Sequence, residues 1–469
     1  MADKNFVAQS MVKLAEVELA NDTLNIIKNF GNHPHTTEQQ YNNFVAILAT
    51  SKKVADMLDE AVRIGEIKSI SIGNLSSSNA GAAYSPKTKN ITFPAEAVAF
   101  NLNSNDYGDK VLQYALTFIA GHEIQHALNY KKFKNAAKEK FEKEIKQIAA
   151  EKHLSRDYTA PVSEYLAAYR KDEASAQIAG FNAVIDAMRK EREPLTAEKI
   201  ANTTKRTLDF VTRKKPSIPA QFKSGYQFNL QGQELDPNNP FLQETDHNLE
   251  ISAQSYFDNK SSAKSNSLGC QANLNYANFY AKEILSQVVD EDARVKHKTP
   301  FIIAMQDFQV KSIDNENNYV HLPLDEKIIE ENGFYISSKK AVPYIDKSTG
   351  IASEFNYTEC PSPNVPSNKP SSATSSLIST EKEQPVSKSN AMARLEALTA
   401  KWDRAISAYE SGNEAAIRAS NQEMLQNPAI ERMQQGAAKL HEQDYAQQQA
   451  EYERMQQQQQ VQSIGGRTR

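Results

Sequence analysis

The stretch Gly121-His122-Glu123-Ile124-Gln125-His126-Ala127 constrains this chain more than any other. On a helix, His122 and His126 fall one turn apart on one face, so two imidazoles can converge on a single metal ion with Glu123 beside them. That spacing divides the labour. Neutral imidazoles suit Zn²⁺, a third protein ligand leaves one position open for water, and the pKa of that water drops from about 15.7 towards about 7. Glu123 can then take the proton as general base.

Such chemistry needs a well-anchored helix, and the preceding residues predict one. Val111, Leu112, Ala115, Leu116 and Ile119 recur at helical spacing and are expected to bury one face. Asp106 and Asp109 lie where carboxylates favour a helix N-terminus. The neighbours Ala120, Ile124, Gln125, Ala127 and Leu128 are uncharged, which limits competing charge near an ion. A chance pairing of two histidines on a core helix is the plain alternative. The five-residue pattern arises by accident in on the order of one chain of this length in a hundred, so the metal reading is preferred.

These residues resemble the zincin metallopeptidases, whose shared element is an active-site helix carrying His-Glu-x-x-His. Asn129 and Lys132 stand where the metzincin branch continues with Gly and His, so that branch is rejected. The resemblance is instead gluzincin-like, and it implies a Glu ligand from a second helix downstream. Glu173, in Tyr169-Arg170-Lys171-Asp172-Glu173-Ala174-Ser175-Ala176-Gln177-Ile178-Ala179-Gly180, is the residue expected in that role. Ala174, Ala176, Ala179 and Gly180 would let the second helix approach the first closely. Asp172, Glu164 and His153 are rival ligands, and a solvated helix charge is the other reading of Glu173. Gln177 stands one turn on, where a gluzincin often has an acidic residue, and Asp172 could orient a histidine Nδ1 instead.

At 469 residues with 39% hydrophobic content, two to three domains are expected, with part of the chain unpacked. A formal net charge of -4 leaves no basic footprint for nucleic acid. Cys270 and Cys360 stand in unrelated contexts and suggest neither a disulfide framework nor a thiolate metal site. The opening residues lack an apolar signal-peptide core and no run is long enough to span a membrane. The expectation is therefore synthesis in the cytoplasm without a cleaved signal peptide, and export, if any, into a target cell by another route.

The expected fold class is α+β, mainly helical. A zincin-like core with N-terminal helices is placed at 1–213, with a small sheet at about 70–93 ahead of the metal helix. Within that sheet 79–84 is the expected substrate strand. Helices are predicted over 131–152, 162–191 and 196–212. An accessory α/β region at 214–360, completing or flanking the cleft, carries expected strands at Gly225–Leu230 and Phe334–Ser337 and a helix over Leu274–Val289. Tyr276 and Tyr280 are read as core aromatics there, though a tyrosine O–H could support an oxyanion. A Pro/Ser-rich linker at 361–390 reads as flexible.

The helical, Gln-rich tail at 391–469 resembles the C-terminal signals of antibacterial type IV secretion effectors. That resemblance implies a secreted toxin, a secretion coupling protein bound through the tail, and an immunity protein. The leading expectation is a hydrolase: a metalloprotease with one Zn²⁺ per chain, held by His122, His126 and Glu173, with Glu123 catalytic. Its substrate would be a protein or the peptide of peptidoglycan. The alternative is a non-catalytic scaffold with structural metal or none, recruiting partners through its tail.

Overall fold

Four short helices begin the chain in the computed structural model: α1 (Asn5–Met11), α2 (Asn21–Asn32), α3 (Glu38–Thr50) and α4 (Lys52–Arg63). α2 stops just before His33-Pro34, and α3 restarts at a reciprocal cap: Gln40 N–H donates to the Thr37 hydroxyl while Thr37 N–H donates to the Gln40 amide oxygen. Their apolar faces meet through Ile27, Phe30, Phe44, Leu48 and Leu58. The structure describes residues 5–360 except 15–16, 76–77, 79, 102–106, 152–155, 192–194, 205, 208–209, 214–225, 229–240, 259–267, 296 and 298. The linker and tail expected at 361–390 and 391–469 lie outside the described residues, as do Asp106 and His153.

Next comes a three-stranded sheet of β1 (Ser69–Ile72), β2 (Ala83–Ser85) and β3 (Asn90–Phe93), in the order β1-β3-β2. β1 and β3 are parallel, β2 and β3 antiparallel, and β2 lies at an edge. The strand expected at 79–84 thus sits at 83–85, and Asn79 is outside the described residues.

Two long helices form the centre: α5 (Tyr107–Asn129) and α7 (Thr159–Arg189). α5 is buried on every side from Leu116 to Gln125, whereas Leu112, expected on the buried face, is 43% exposed, because the helix is enclosed only beyond its first turns. α7 is buried from Asp172 to Ile185. The two cross at glycines. A Cβ on Gly121 would lie 2.9 Å from the Ala183 Cβ, and one on Gly180 would lie 2.8 Å from the Phe118 ring and carbonyl. The small residues expected at the crossing, Ala179 and Gly180, are therefore where the helices meet. α5 continues through a π-helical turn (Tyr130–Lys134) into α6 (Asn135–Ala150), so the helix expected from 131 is joined to α5 without a break.

The segment expected as one helix over 196–212 divides into α8 (Ala197–Thr203) and β4 (Val211–Arg213), which pairs with β5 (Tyr226–Phe228). Beyond them lie α9 (Asp246–Tyr256), α10 (Tyr276–Val295), β6 (Phe301–Ile303), β7 (Gln309–Lys311), β8 (Tyr319–His321), α11 (Glu326–Glu331), β9 (Val342–Asp346) and β10 (Ile351–Phe355). β6, β9 and β10 form a mixed sheet, and β7 and β8 a hairpin pair. Phe334–Ser337, expected as a strand, is irregular. Phe334 N–H and C=O bond to Thr358 rather than to a neighbouring strand, while the Phe334 ring packs 5.0 Å from that of Phe355. One apolar cluster unites α6 and α7 with α10 and the mixed sheet, so residues on both sides of 213 share a core.

The cysteine expectation is overturned: Cys270 and Cys360 form a disulfide across 90 residues of sequence. No local pattern announces a pairing made by folding. Gln271 N–H donates to the Asn332 side-chain oxygen, and Asn332 Nδ2 donates to Asn273, which seats the Cys270 loop beside Gly333. Closing a loop of this length is worth about 4–5 kcal/mol in the chain-entropy account. Among the described residues no helix is long and apolar enough to cross a membrane.

Two buried arginines, Arg156 just ahead of α7 and Arg170 on it, fasten the later elements to this part of the fold. Arg156 pairs with Asp292 on α10 at 2.7 Å. Arg170 forks onto Glu250 of α9, with both bonds at 2.7 Å, and onto Asp258 at 2.6 and 2.8 Å. Burial pushes the Glu250 carboxyl up, but the Arg170 guanidinium and the Ile313 N–H outweigh it and hold it at about 2, against an ordinary 4.5. A depressed folded-state pKa gives stability that is complete above about pH 4.5 and lost as pH falls towards 2. Denaturant stability should therefore decline across that window. Glu250→Gln should lower stability at pH 7 and flatten the acid limb; an unchanged slope would contradict the assignment.

Candidate metal centre

The crossing of α5 and α7 brings His122, His126 and Glu173 together, and this group could hold a metal ion: one donor atom from each lies within 4.8 Å of the others. The two Nε2 atoms are 3.0 Å apart; that of His122 lies 3.5 Å from Glu173 Oε2 and that of His126 3.6 Å from Glu173 Oε1, so the histidines face different oxygens of the carboxylate. A tetrahedral zinc ion with bonds of 2.0–2.1 Å spaces its ligand atoms about 3.3 Å apart, close to each of these separations. Glu173 is 2% exposed, and among the described residues its Oε2 has no hydrogen-bond donor. A buried carboxylate oxygen left so is costly unless a cation satisfies it. The donor set fits.

The charges around the triangle agree. Burial lowers the His126 pKa, but Asp172 and Glu173 more than reverse this and raise it to about 9. Burial raises both carboxyls, yet His126 and Lys134 hold Asp172 well below the usual carboxylate range, and His126 and His122 lower Glu173. Anionic carboxylates thus favour positive charge at this point, which a divalent ion would supply in place of a proton.

Asp172 is not part of the triangle. Its Oδ2 lies 3.0 Å from His126 Nδ1, on the far side of the ring from the triangle, and the same oxygen accepts from Lys134 Nζ. Asn129 Nδ2 donates to Oδ1 at 3.0 Å. Asp172 thus stands within reach of a histidine Nδ1, as expected of a residue that could orient one, although the contact lacks the geometry of a formed hydrogen bond. Of the other rivals, Glu164 is turned outward onto Lys140 and His153 is outside the described residues.

Glu123 projects beside the triangle, and its Oε2 accepts from Tyr84 N–H at 2.9 Å. That N–H belongs to the edge strand β2, so the carboxylate is pinned to the strand while remaining in the cleft wall. The cleft is about 810 Å³ and runs between β2 and α10. Tyr276 and Tyr280, expected as core aromatics, pack against the core and also line the cleft. Tyr280 O–H donates to Glu173 Oε1, and its ring stacks 4.1 Å from Tyr169. Tyr276 bonds the hydroxyl of Tyr256, whose ring lies 6.3 Å from His122. Gln177, one turn beyond Glu173, also faces the cleft, with its side-chain oxygen unpaired.

Sequence reasoning missed Lys134, Asn129 and Tyr256 as parts of this site. Asn129 was within reach, since it follows His126 by one helical turn; Lys134 arrives only through the π-helical turn, and Tyr256 only through tertiary folding. Asp172→Ala should leave the fold intact and weaken zinc binding roughly 10- to 100-fold by competition with a chelating dye. Affinity equal to that of the parent would show that Asp172 does not support the site. No protein family, curated protein or solved structure matches this chain, so its functional reading rests on the site itself.

Proposed function

We propose that the chain is a zinc-dependent metallopeptidase in which His122, His126 and Glu173 hold the ion and Glu123 is the general base. The observation that carries this reading is the triangle of buried donors with an unpaired Glu173 oxygen, set against a carboxylate fixed one residue along the same helix. Two imidazoles and one carboxylate are a donor set typical of catalytic zinc. When bound there, zinc supplies a Lewis acid and lowers the pKa of attacking water.

The rest falls to the chain's own groups. Glu123 accepts the proton from water and returns it to the leaving amine, while Tyr84 N–H holds its other face in register. β2 lies at an edge of its sheet and, apart from Tyr84 N–H, which Glu123 holds, would offer its outward main-chain groups to an extended peptide. Tyr280 fixes Glu173, and Tyr256 with Tyr276 presents hydroxyls on the cleft wall, where an oxyanion could be met.

The Gln-rich composition of 391–469 supports a secreted effector, and the Cys270–Cys360 disulfide supports action in an oxidising compartment. A cell-envelope peptide is the substrate favoured by that compartment, with a protein substrate as the alternative. Glu123→Gln should keep about one zinc per chain and lose on the order of 10²–10⁴ in peptide hydrolysis. Undiminished hydrolysis with zinc retained would reject Glu123 as the base, and a parent protein without hydrolysis or zinc would reject the enzyme.

A further inference from the structure

Three lysine or arginine side chains line the cleft, and they are not equivalent. Lys134 is committed to Asp172, and Lys138 lies 3.7 Å from Glu142. Arg206 differs. Among the described residues no carboxylate lies within 4.0 Å of its guanidinium.

Its position is nevertheless built. The next residue, Thr207, is fully buried and donates its hydroxyl to the carbonyls of Ile200 and Thr204, each at 2.7 Å. Phe210 packs its ring 4.6 Å from Phe181 of α7. The turn carrying Arg206 is therefore anchored on its C-terminal side. The guanidinium itself lies 5.9 Å over the Phe118 ring, and that ring lies 6.3 Å from His122 in a stacked arrangement. It also fills the room left by a missing side chain: a Cβ on Gly81 would be 2.5 Å from Arg206 Nη2. Gly81 and Ala82 lead into β2. A planar fork is thus placed between the metal helix and the strand that would align a peptide.

We propose that Arg206 receives a carboxylate of the substrate, either the C-terminal carboxylate of the peptide or an acidic side chain, as that peptide lies along β2. The proposal rests on the peptidase reading for the path of the peptide. A guanidinium pairs with a carboxylate through two parallel N–H donors, which a neutral amide cannot match. The substrates selected are therefore anionic near the cleaved bond.

The test uses full-length protein carrying Glu123→Gln, loaded with zinc, and fluorescein-labelled alanine hexapeptides. One pair compares the free acid with the C-terminal amide; a second set, all amidated, compares Glu with Gln at each position. The anionic member of at least one pair should bind roughly 10- to 100-fold tighter than its neutral counterpart. A preference for the free acid assigns the chain terminus, and a preference for Glu assigns a side chain. Arg206→Met should bring the ratio to about one, while Arg206→Lys should keep part of it, having the charge without the fork.

Gly81→Ala gives a second route, since its methyl displaces the guanidinium and leaves the arginine in the chain; the ratio should fall there too, even if Arg206→Met does not fold by circular dichroism. Equal binding of anionic and neutral peptides by the parent overturns the proposal, as does an undiminished ratio in a folded Arg206→Met or in Gly81→Ala. Zinc content and hydrolysis by the unsubstituted chain, measured alongside, separate the two ideas. A carboxylate preference without zinc or hydrolysis defeats the peptidase reading alone, and zinc with hydrolysis but no preference defeats the Arg206 assignment alone.

Discussion

The close crossing of α5 and α7 is the constraint on which the site depends. His122 and His126 belong to one helix and Glu173 to the other, so the distance between the helices sets the distance between donors. Gly121 and Gly180 remove the side chains that would hold the helices apart, and Phe118 fills the remaining space beside Gly180. One added methyl at either glycine would meet neighbouring atoms below 3.0 Å. Packing at this level of fit shifts rather than compresses when volume is added, so the separation of the donors is set by the crossing as much as by the donors themselves.

A second requirement is electrostatic. Asp172, Glu173 and Glu123 are gathered in or beside a closely packed interior, where unbalanced charge is expensive. Asp172 is balanced by Lys134, Asn129 and His126, and Glu123 is tied to a backbone N–H. Among the described residues Glu173 receives a hydrogen bond only on Oε1, from Tyr280. That uneven provision, shared with the Nδ1 atoms of His122 and His126 and the Gln177 oxygen, distinguishes this cluster from the arginine-paired carboxylates Glu250 and Asp292 elsewhere in the fold.

Much of this centre was legible in the sequence because it is encoded locally. The i, i+4 histidines, the uncharged flank and the small residues of 174–180 each announce a helix face, and the structure places those faces against one another. Asp172 could be assigned its role because it immediately precedes Glu173. The unseen parts depend on contacts made by distant segments. Tyr280 reaches Glu173 from 107 residues away, and the disulfide joins cysteines 90 apart with no framework around them. Leu112 was expected to be buried because periodicity reports a face and not how far along the helix its cover extends. Phe334–Ser337 looked like a strand because alternation of apolar residues is also what a buried, irregular anchor shows.

The described chain thus combines a site set by one helix crossing with later elements fastened by Arg170 on the same central helix and by Arg156 just ahead of it. Loop 268–274 reaches the cleft lip, where Gly269 N–H bonds to the Ser78 carbonyl, and the disulfide ties that loop to residue 360. The central claim is that one divalent ion sits between two imidazoles and a carboxylate. Zinc-edge X-ray absorption on the purified full chain addresses it directly. The predicted spectrum shows two imidazole nitrogens with oxygen neighbours at about 2.0–2.2 Å, lost together in His122→Ala. A protein that takes up no zinc, or holds it without imidazole scattering, would contradict that claim.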